Sequence, residues 1–409
     1  MPKVLVTDAS ERAALAIIRS LGRKGIDVIA ADSTRFNGGF LSKYCSHRII
    51  YPSPQRNKRK FIDSMLHFVK NETIDLLIPV TDFTMIPIVE RLDKFEKYVE
   101  VAAPPYEIAI KALDKAQTIK IAEKCGVPYP KTFLVEDLES LESNAKSLNF
   151  PVVIKPRMKV FWVREKALML KVTHRNFAFT YRDLIEKYKT IMSQLIKLGI
   201  PNDFFLIQEY VRGRGYGVEA LIHNSKAIAL FMHKRIREYP VSGGASTLRI
   251  SVKNKKLREY ALTLLNAMNW QGVAMVEFRV DHETNDAKLI EINGRFWGSL
   301  PLAINTGVDF PYLLYKLMMN ENFTPCFSYR VGIMQKWLIP GDLLWLLDSF
   351  LNGKGKLHTL KSFLSSLNVP DDVILPDDFT PTVGALTDTL RLFLDVAFGK
   401  RTLYGELLN

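Results

Sequence analysis

The sequence predicts a chain of mixed class, α/β at its start, α+β in its middle and helical at its end. Three observations predict it. Residues 1–105 alternate short apolar strands with amphipathic helices, the βαβ rhythm of a parallel sheet covered on both faces. From residue 205 onward, strand-like runs follow one another with a single helical interruption, as antiparallel strands do. After residue 330 the apolar spacing becomes helical, broken by a Pro- and Asp-containing loop at 370–381.

In order, strands are expected at 4–6, 28–31, 76–80 and 99–102, with helices at 10–22, 60–70 and 83–95 between them. Their C-terminal ends carry Thr7-Asp8, Asp32-Ser33 and Thr81-Asp82, where parallel sheets bind ligands; helix capping is the simpler reading of each. The first turn, Asp8-Ala9-Ser10, lacks the glycines of a dinucleotide fingerprint, so a nicotinamide cofactor is not indicated. A helix over 106–124 stops at Cys125-Gly126-Val127-Pro128. A strand at 132–135, a helix to 148, a strand at 152–155 and a helix at 179–198 follow. Strands at 205–211, 216–223, 227–233 and 248–252 precede a helix at 256–268, and the tail carries helices at 341–351, 359–367 and 382–398.

With 409 residues, 47% hydrophobic and 24% charged, the chain can build two or three packed cores and is too apolar for disorder. No apolar run approaches the roughly 20 residues of a membrane span, and Met1-Pro2-Lys3-Val4-Leu5-Val6-Thr7 reads as a first strand, so a cytoplasmic location is expected. Cys45, Cys125 and Cys326 stand in no metal or redox spacing and read as reduced thiols. A net charge of +13 suits a nucleic-acid binder, a membrane-surface protein or an enzyme of polyanionic ligands. The densest basic run, Arg56 to Lys60, has no interleaved aromatic residue, and no finger or RNA-binding strand accompanies it, so no nucleic-acid partner is expected. In the tail, Trp345-Leu346-Leu347 and residues 390–398 form apolar helix faces beside Lys354, Lys356, Lys400 and Arg401. Packing onto the core is preferred there over contact with a membrane surface.

The most informative segments are Val276-Glu277-Phe278-Arg279-Val280-Asp281 and Leu289-Ile290-Glu291-Ile292-Asn293-Gly294-Arg295. Both alternate apolar and polar residues, and the polar cluster between them predicts a hairpin. Centred on Thr284, it sets Glu277 opposite Glu291, with Val276, Phe278, Ile290 and Ile292 on one face and Glu277, Glu291 and Asn293 on the other. Carboxylates on directly opposed residues, with Cβ atoms roughly 5 Å apart, repel each other. A divalent cation removes that repulsion, because Mg²⁺ takes oxygen ligands from one or two carboxylates and completes its shell with nucleotide phosphates. For this pair alone, a surface hairpin with solvated acids is an equal alternative.

The order of motifs resembles the ATP-grasp superfamily, in its carboxylate–amine ligase branch, over residues 1 to about 320. The matching pieces are Leu113-Asp114-Lys115, Gly126-Val127-Pro128-Tyr129-Pro130, Val153-Ile154-Lys155-Pro156, Ile207-Gln208-Glu209-Tyr210-Val211, Val276-Glu277-Phe278 and Glu291-Ile292-Asn293-Gly294-Arg295. Each is weak alone, and the six in order behind an α/β region carry the resemblance. It implies a Rossmann-like pre-ATP-grasp domain over 1–105 and a two-lobed ATP-grasp domain over 106–330, with a small nucleotide lobe at about 128–212 and a central lobe at about 213–330. A helical C-terminal extension covers 331–409.

The resemblance also implies an ATP-dependent ligase that activates a carboxylate as an acyl-phosphate and couples it to an amine, releasing ADP and phosphate. Lys115 and Lys155 would bracket the triphosphate, and the segment Gln208, Glu209, Tyr210 and Val211 would hold the adenine. Glu277, Glu291 and Asn293 would ligate Mg²⁺, with Mn²⁺ as an alternative, and Arg295 would face the transferring phosphate. Within His233 to Arg237, ahead of the loop Ser242-Gly243-Gly244-Ala245-Ser246, Arg235 is the expected second catalytic cation, and His233 reads as structural. The expected partners are a small carboxylate and an amine, with a homo-oligomer left open.

The chain departs from the family pattern twice. The segment after Lys155, Arg157 to Lys166, contains no glycine where relatives carry a glycine-rich flap, so either Arg157, Lys159 and Arg164 substitute as cations or the flap is short and open and holds the nucleotide less tightly. Where an acid for the ribose is common, the chain has Gly213-Arg214-Gly215-Tyr216-Gly217, which reads as a tight turn between strands. Two other functions remain open on sequence: a bicarbonate-activating enzyme like carbamoyl-phosphate synthase or biotin carboxylase, and a nucleotide-binding regulatory or scaffold protein without turnover.

Overall fold

A computed structural model describes residues 2–170, 172–241, 243–352 and 355–399. Strands β1 (Lys3–Val6), β2 (Asp27–Asp32), β3 (His47–Ile50), β4 (Leu76–Ile78) and β5 (Glu100–Val101) form a parallel sheet in the order β3-β2-β1-β4-β5. Alternation along β1 feeds two cores. Val4 and Val6 pack with Ile17 and Leu21 of helix Arg12–Gly22, while Leu5 packs with Phe61 and Met65 of helix Lys58–Asn71 on the opposite face. The strand β3 escaped prediction because its His-Arg-Ile-Ile run is a largely exposed edge without alternation.

A second, antiparallel sheet is built from β6 (Thr132–Leu134), β7 (Val152–Pro156) and, beyond the separate hairpin β8 (Val160–Val163) and β9 (Lys166–Met169), from β10 (Phe177–Ala178) and β11 (Phe205–Glu209). The third sheet contains β12 (Arg214–His223), β13 (Lys226–Tyr239), β14 (Ala245–Ser251), β15 (Gly272–Val280), β16 (Ala287–Asn293) and β17 (Met334–Lys336), in the order β16-β15-β12-β13-β14-β17. One face of this sheet packs Val218, Val276 and Phe278 against Leu257 and Leu264 of helix Lys255–Ala267. The other face sends Leu221, Phe231 and Met275 into the same core as helix Arg12–Gly22, so the first and third sheets share buried apolar surface.

Several elements differ from expectation for identifiable reasons. The helix expected over 106–124 is two, Tyr106–Leu113 and Lys115–Lys124, because Asp114 takes extended backbone and caps the second through Ala116 N at 2.9 Å. The run Gly213 to Gly217 is not a tight turn beyond Gly213, whose φ is +114°; Gly215 and Gly217 lie inside β12. The glycine-free flap segment is the hairpin β8–β9, docked on the first-sheet region through Trp162 Nε1 to Pro54 O at 3.0 Å and Ala167 N to Gln55 O at 2.8 Å. The strand-end acids do not cap helices: Asp8 is buried, accepting from Thr81 N and the Tyr51 hydroxyl, and Asp32 accepts from Ser10 N.

The tail begins as a strand, since β17 extends the third sheet beside β14, and continues as helices Leu343–Asn352, Lys356–Ser365 and Pro381–Ala397. Arginines anchor it to the rest of the chain. Arg12 and Arg249 meet Asp372, Arg19 meets Asp378 at 2.8 Å, and Arg237 meets Asp342 at 2.6 Å. The tail residues Lys354, Lys400 and Arg401, and Ser242 of the small-residue loop, lie outside the described residues. No helix among the described residues is long and apolar enough to cross a membrane.

Candidate functional site

A cleft of about 680 Å³ opens between the second and third sheets, and the residues expected to bind nucleotide or metal or to act in catalysis line it: Lys115, Lys155, Gln208, Glu209, Tyr210, Val211, Arg235, Glu277, Glu291, Asn293 and Arg295. Pairing of β15 with β16 creates its acidic floor. Glu277 stands at the same register as Glu291, and Met275 opposite Asn293. A bulge beside this pair changes the expected faces: Phe278 pairs with Leu289, which enters the core, while Ile290 turns to the cleft.

The two carboxylates have different surroundings. Burial pushes the Glu291 carboxyl upward, but Lys159, Lys115 and Lys155 outweigh it and hold the group down at about 2. Glu277 is raised, first by burial and then by the charge of Glu291, against the pull of Arg235, whose Nη2 contacts Glu277 Oε2. Asn293 Nδ2 donates to Glu291 Oε1 at 3.4 Å, and its Oδ1 accepts from Arg295 at 3.4 Å. Two carboxylates and an amide oxygen suit a hard divalent cation that draws its remaining ligands from phosphate. No cluster of three or more His, Cys, Asp or Glu able to hold a metal exists among the described residues, so a self-sufficient protein cage is not built here.

Two lysines approach this floor from separate elements. Lys155 lies on β7, whose alternation buries Ile154 in the core and turns Lys155 to the cleft, where Nζ donates to Gln208 Oε1 at 2.6 Å. Burial, then the nearby Lys115, lowers its pKa to about 8. Lys115 opens the helix that Asp114 caps and is also lowered by burial, against the charge of Glu291. Of the three flap cations, Lys159 lines the cleft, Arg157 pairs with Asp114 at 2.7 Å, and Arg164 sits at the β8–β9 turn with φ of +55°. Along the strand end after β11, the Glu209 and Tyr210 N–H groups donate to Lys131 O and Pro151 O, while the Val211 N–H makes no hydrogen bond among the described residues. The Phe177 and Tyr210 rings meet edge to face nearby, 5.7 Å apart.

Arg235 and Arg295 add cations to the polar wall. Arg235 reaches from β13 across β12 to Glu277, and a Cβ on Gly215 would come within 2.9 Å of its Cδ, which explains the glycine. Its pKa is raised: burial lowers it, and Glu277 and Glu238 more than compensate. Arg295 is gripped by Asp82 of the first-sheet region, Nε to Oδ1 at 2.8 Å and Nη2 to Oδ2 at 3.3 Å. His233 is buried, with Nδ1 2.6 Å from Glu219 Oε1, in keeping with a structural role.

Sequence reading missed Asp82 as a partner of Arg295, and Arg12, Arg279, Trp297 and Trp337 as parts of the wall. Asp82 had a signal in its position at a strand end of a parallel sheet, and Arg279 in its place two residues after Glu277 on one strand. The others reach the cleft only through tertiary packing.

Residues 202–336 match the family described as "ATP-grasp in the biosynthetic pathway with Ter operon". The chain is similar to the carbamoyl phosphate synthase large chain of Pyrococcus furiosus, 24% identical over 56% of this chain and 20% of that one. It is 21% identical to the D-aspartate ligase of Enterococcus faecium, over 58% of each chain, so it spans a fifth to somewhat over half the length of these relatives. The biotin carboxylase–β,γ-ATP complex of Campylobacter jejuni shares the fold with a TM-score of 0.62, at 16% identity, over 81% of this chain and 74% of that one. With the cleft described above, these findings make the chain similar to ATP-grasp proteins: residues 202–336 match a family of that kind, and the wider chain resembles a D-aspartate ligase in sequence and a biotin carboxylase in fold.

Proposed function

We propose that the chain is an ATP-dependent carboxylate–amine ligase. The observation that carries this is the convergence of Lys115, Lys155 and Lys159 on a register-matched Glu277–Glu291 pair in one cleft. In this reading residues 1–105 are a Rossmann-like pre-ATP-grasp domain, 128–212 and 213–330 are the two lobes that hold the nucleotide, and 331–409 are an extension whose described residues pack on the first and third sheets.

The adenine lies beside Phe177 and Tyr210 and takes the free Val211 N–H, and the phosphates run toward Lys155, Lys115 and Lys159. Glu277, Glu291 and Asn293 hold Mg²⁺, or Mn²⁺ in its place, which supplies charge neutralisation of the transferring phosphate. An oxygen of the substrate carboxylate attacks the γ-phosphorus and the bond to ADP breaks, giving an acyl-phosphate. Arg295, oriented by Asp82, and Arg235, oriented by Glu238, present N–H donors to the charge that develops. The amine nitrogen then attacks the acyl carbon, phosphate leaves with the C–O electron pair, and the amine releases a proton.

Purified protein with MgATP should form ADP and phosphate only when a suitable acid and amine are both present. ADP formation independent of both, or none across a panel of paired acids and amines, contradicts this function. A second reading, bicarbonate as the activated acid, is favoured by the similarity to the carbamoyl phosphate synthase large chain. ADP release driven by bicarbonate alone, without any other acid, distinguishes it.

A further inference from the structure

The cleft extends past the phosphate-binding side chains to a stretch of wall that the proposed chemistry does not use. Arg12, Trp297, Trp337, Leu344 and Leu392 form it, and of these Trp297 alone lies within the residues matched by the family. Arg12 is held from two sides: Nη1 donates to Asp372 Oδ2 at 2.7 Å, and its guanidinium carbon lies 3.6 Å from the centroid of the Trp337 ring. That is its only side-chain hydrogen bond among the described residues, so most of its N–H donors remain for a ligand. Burial, against the pull of Asp372, lowers its pKa to about 10, which leaves it charged at neutral pH.

Its position relative to the reacting groups is bounded by the backbone. A Cβ at residue 298 would meet Arg12 Nη2 at 2.7 Å, so Gly298 is where the guanidinium rests. Residue 298 follows Arg295 by three, which limits the separation of their Cα atoms to about 11 Å. The rest of the wall is apolar. Leu344 is 4% exposed and Trp297 2%, and the Trp297 indole N–H has no partner among the described residues.

An arginine with spare donors beside an apolar wall suits a molecule that carries one anionic group and an apolar body. We infer that this wall is a subsite for an apolar α-amino acid. Its carboxylate meets Arg12, its side chain lies against Trp337, Leu344 and Leu392, and its amino group is the nucleophile. The inference rests on the ligase function proposed above and names the amine. An acidic amino acid is disfavoured, because its second carboxylate would lie against the apolar side chains of Leu344 and Leu392 and the Trp337 ring. Coupling needs no further reactant: the nitrogen bonds to the acyl carbon, phosphate departs with the C–O electrons, and one amine proton goes to solvent.

The test uses the full chain with Mg²⁺ and a non-hydrolysable ATP analogue, titrated with leucine, phenylalanine or aspartate and followed by calorimetry and tryptophan fluorescence. Leucine or phenylalanine should bind at least about tenfold more tightly than aspartate, as burying one apolar side chain allows. Leu392→Asp should weaken that binding at least about tenfold. Leu390→Asp, on the same helix but 59% exposed and outside the cleft, should leave it unchanged, and both variants should bind the nucleotide analogue like the parent. Equal affinity for the three amino acids, or equal behaviour of the two variants, overturns the inference. Apolar amino acids that bind without supporting ADP release from ATP with any acid would overturn the ligase function instead. ADP release supported by amines that ignore Leu392→Asp would overturn the subsite alone.

Discussion

Glu277 and Glu291 face each other at one register of β15 and β16, and their neighbours drive their proton affinities apart. Three lysines hold Glu291 ionised, whereas burial raises Glu277, which the guanidinium of Arg235 covers. Two like charges at this spacing destabilise a hairpin unless cations attend them. Arg235 and the lysines serve that purpose, and the same side chains border the path proposed for the phosphates.

Lys155 sets a pH dependence for nucleotide binding. Burial and Lys115 bring its pKa to about 8, so below that pH the ammonium is present and above it binding must take up a proton. MgATP affinity should therefore fall as pH rises through 8, approaching about tenfold per unit. Calorimetry in buffers of different ionisation enthalpy will detect the proton uptake above pH 8, and Lys155→Met should abolish it.

Asp82 positions Arg295 through two hydrogen bonds from the first-sheet region. Asp82→Asn should lower kcat by about 10- to 100-fold, the cost of a misplaced group, with KM for ATP little changed. Asp82→Glu should restore part of the rate. Equal losses in kcat and ATP affinity would indicate a structural role instead.

Gly217 lies beneath the buried His233–Glu219 pair, and a Cβ there would come within 2.4 Å of His233 Cε1 and 2.6 Å of Glu219 Oε1. Gly217→Ala should destabilise the chain by about 1–3 kcal/mol through overpacking, measured by urea unfolding.

Arg237 clamps the tail through the fully buried Asp342 and stacks on Trp345 at 4.3 Å. Arg237→Ala leaves that carboxylate without its cation and should cost about 3–5 kcal/mol. Limited proteolysis should then cut first within the helices Leu343–Asn352 and Lys356–Ser365.

Much of this was legible in the sequence because the cleft is built from strands, where alternation fixes which side chains share a face. The pairing of Glu277 with Glu291 follows from a symmetric hairpin, and the turning of Lys155 away from Ile154 from simple period two. The bulge that moves Ile290 into the cleft has no composition marker, and the break at Asp114 hides inside a run of helical periodicity until Arg157, far along the chain, claims the carboxylate. Arg12 and Trp337 were invisible for a different reason: they come from opposite ends of the sequence and meet only when the tail packs on the first sheet. The glycines of 213–217 were legible as unusual, but the cause at Gly215 and Gly217, room for Arg235 and His233 on the neighbouring strand, is tertiary.

The most direct measurement compares ADP formation by the parent chain and by Glu291→Gln, with MgATP and an acid–amine pair that supports turnover. Loss of this carboxylate should reduce kcat by at least about 100-fold, as removal of a group that acts on transition-state charge does. Circular dichroism and the unfolding midpoint should stay near those of the parent. Full turnover by Glu291→Gln would contradict the placement of metal and phosphate on the β15–β16 hairpin.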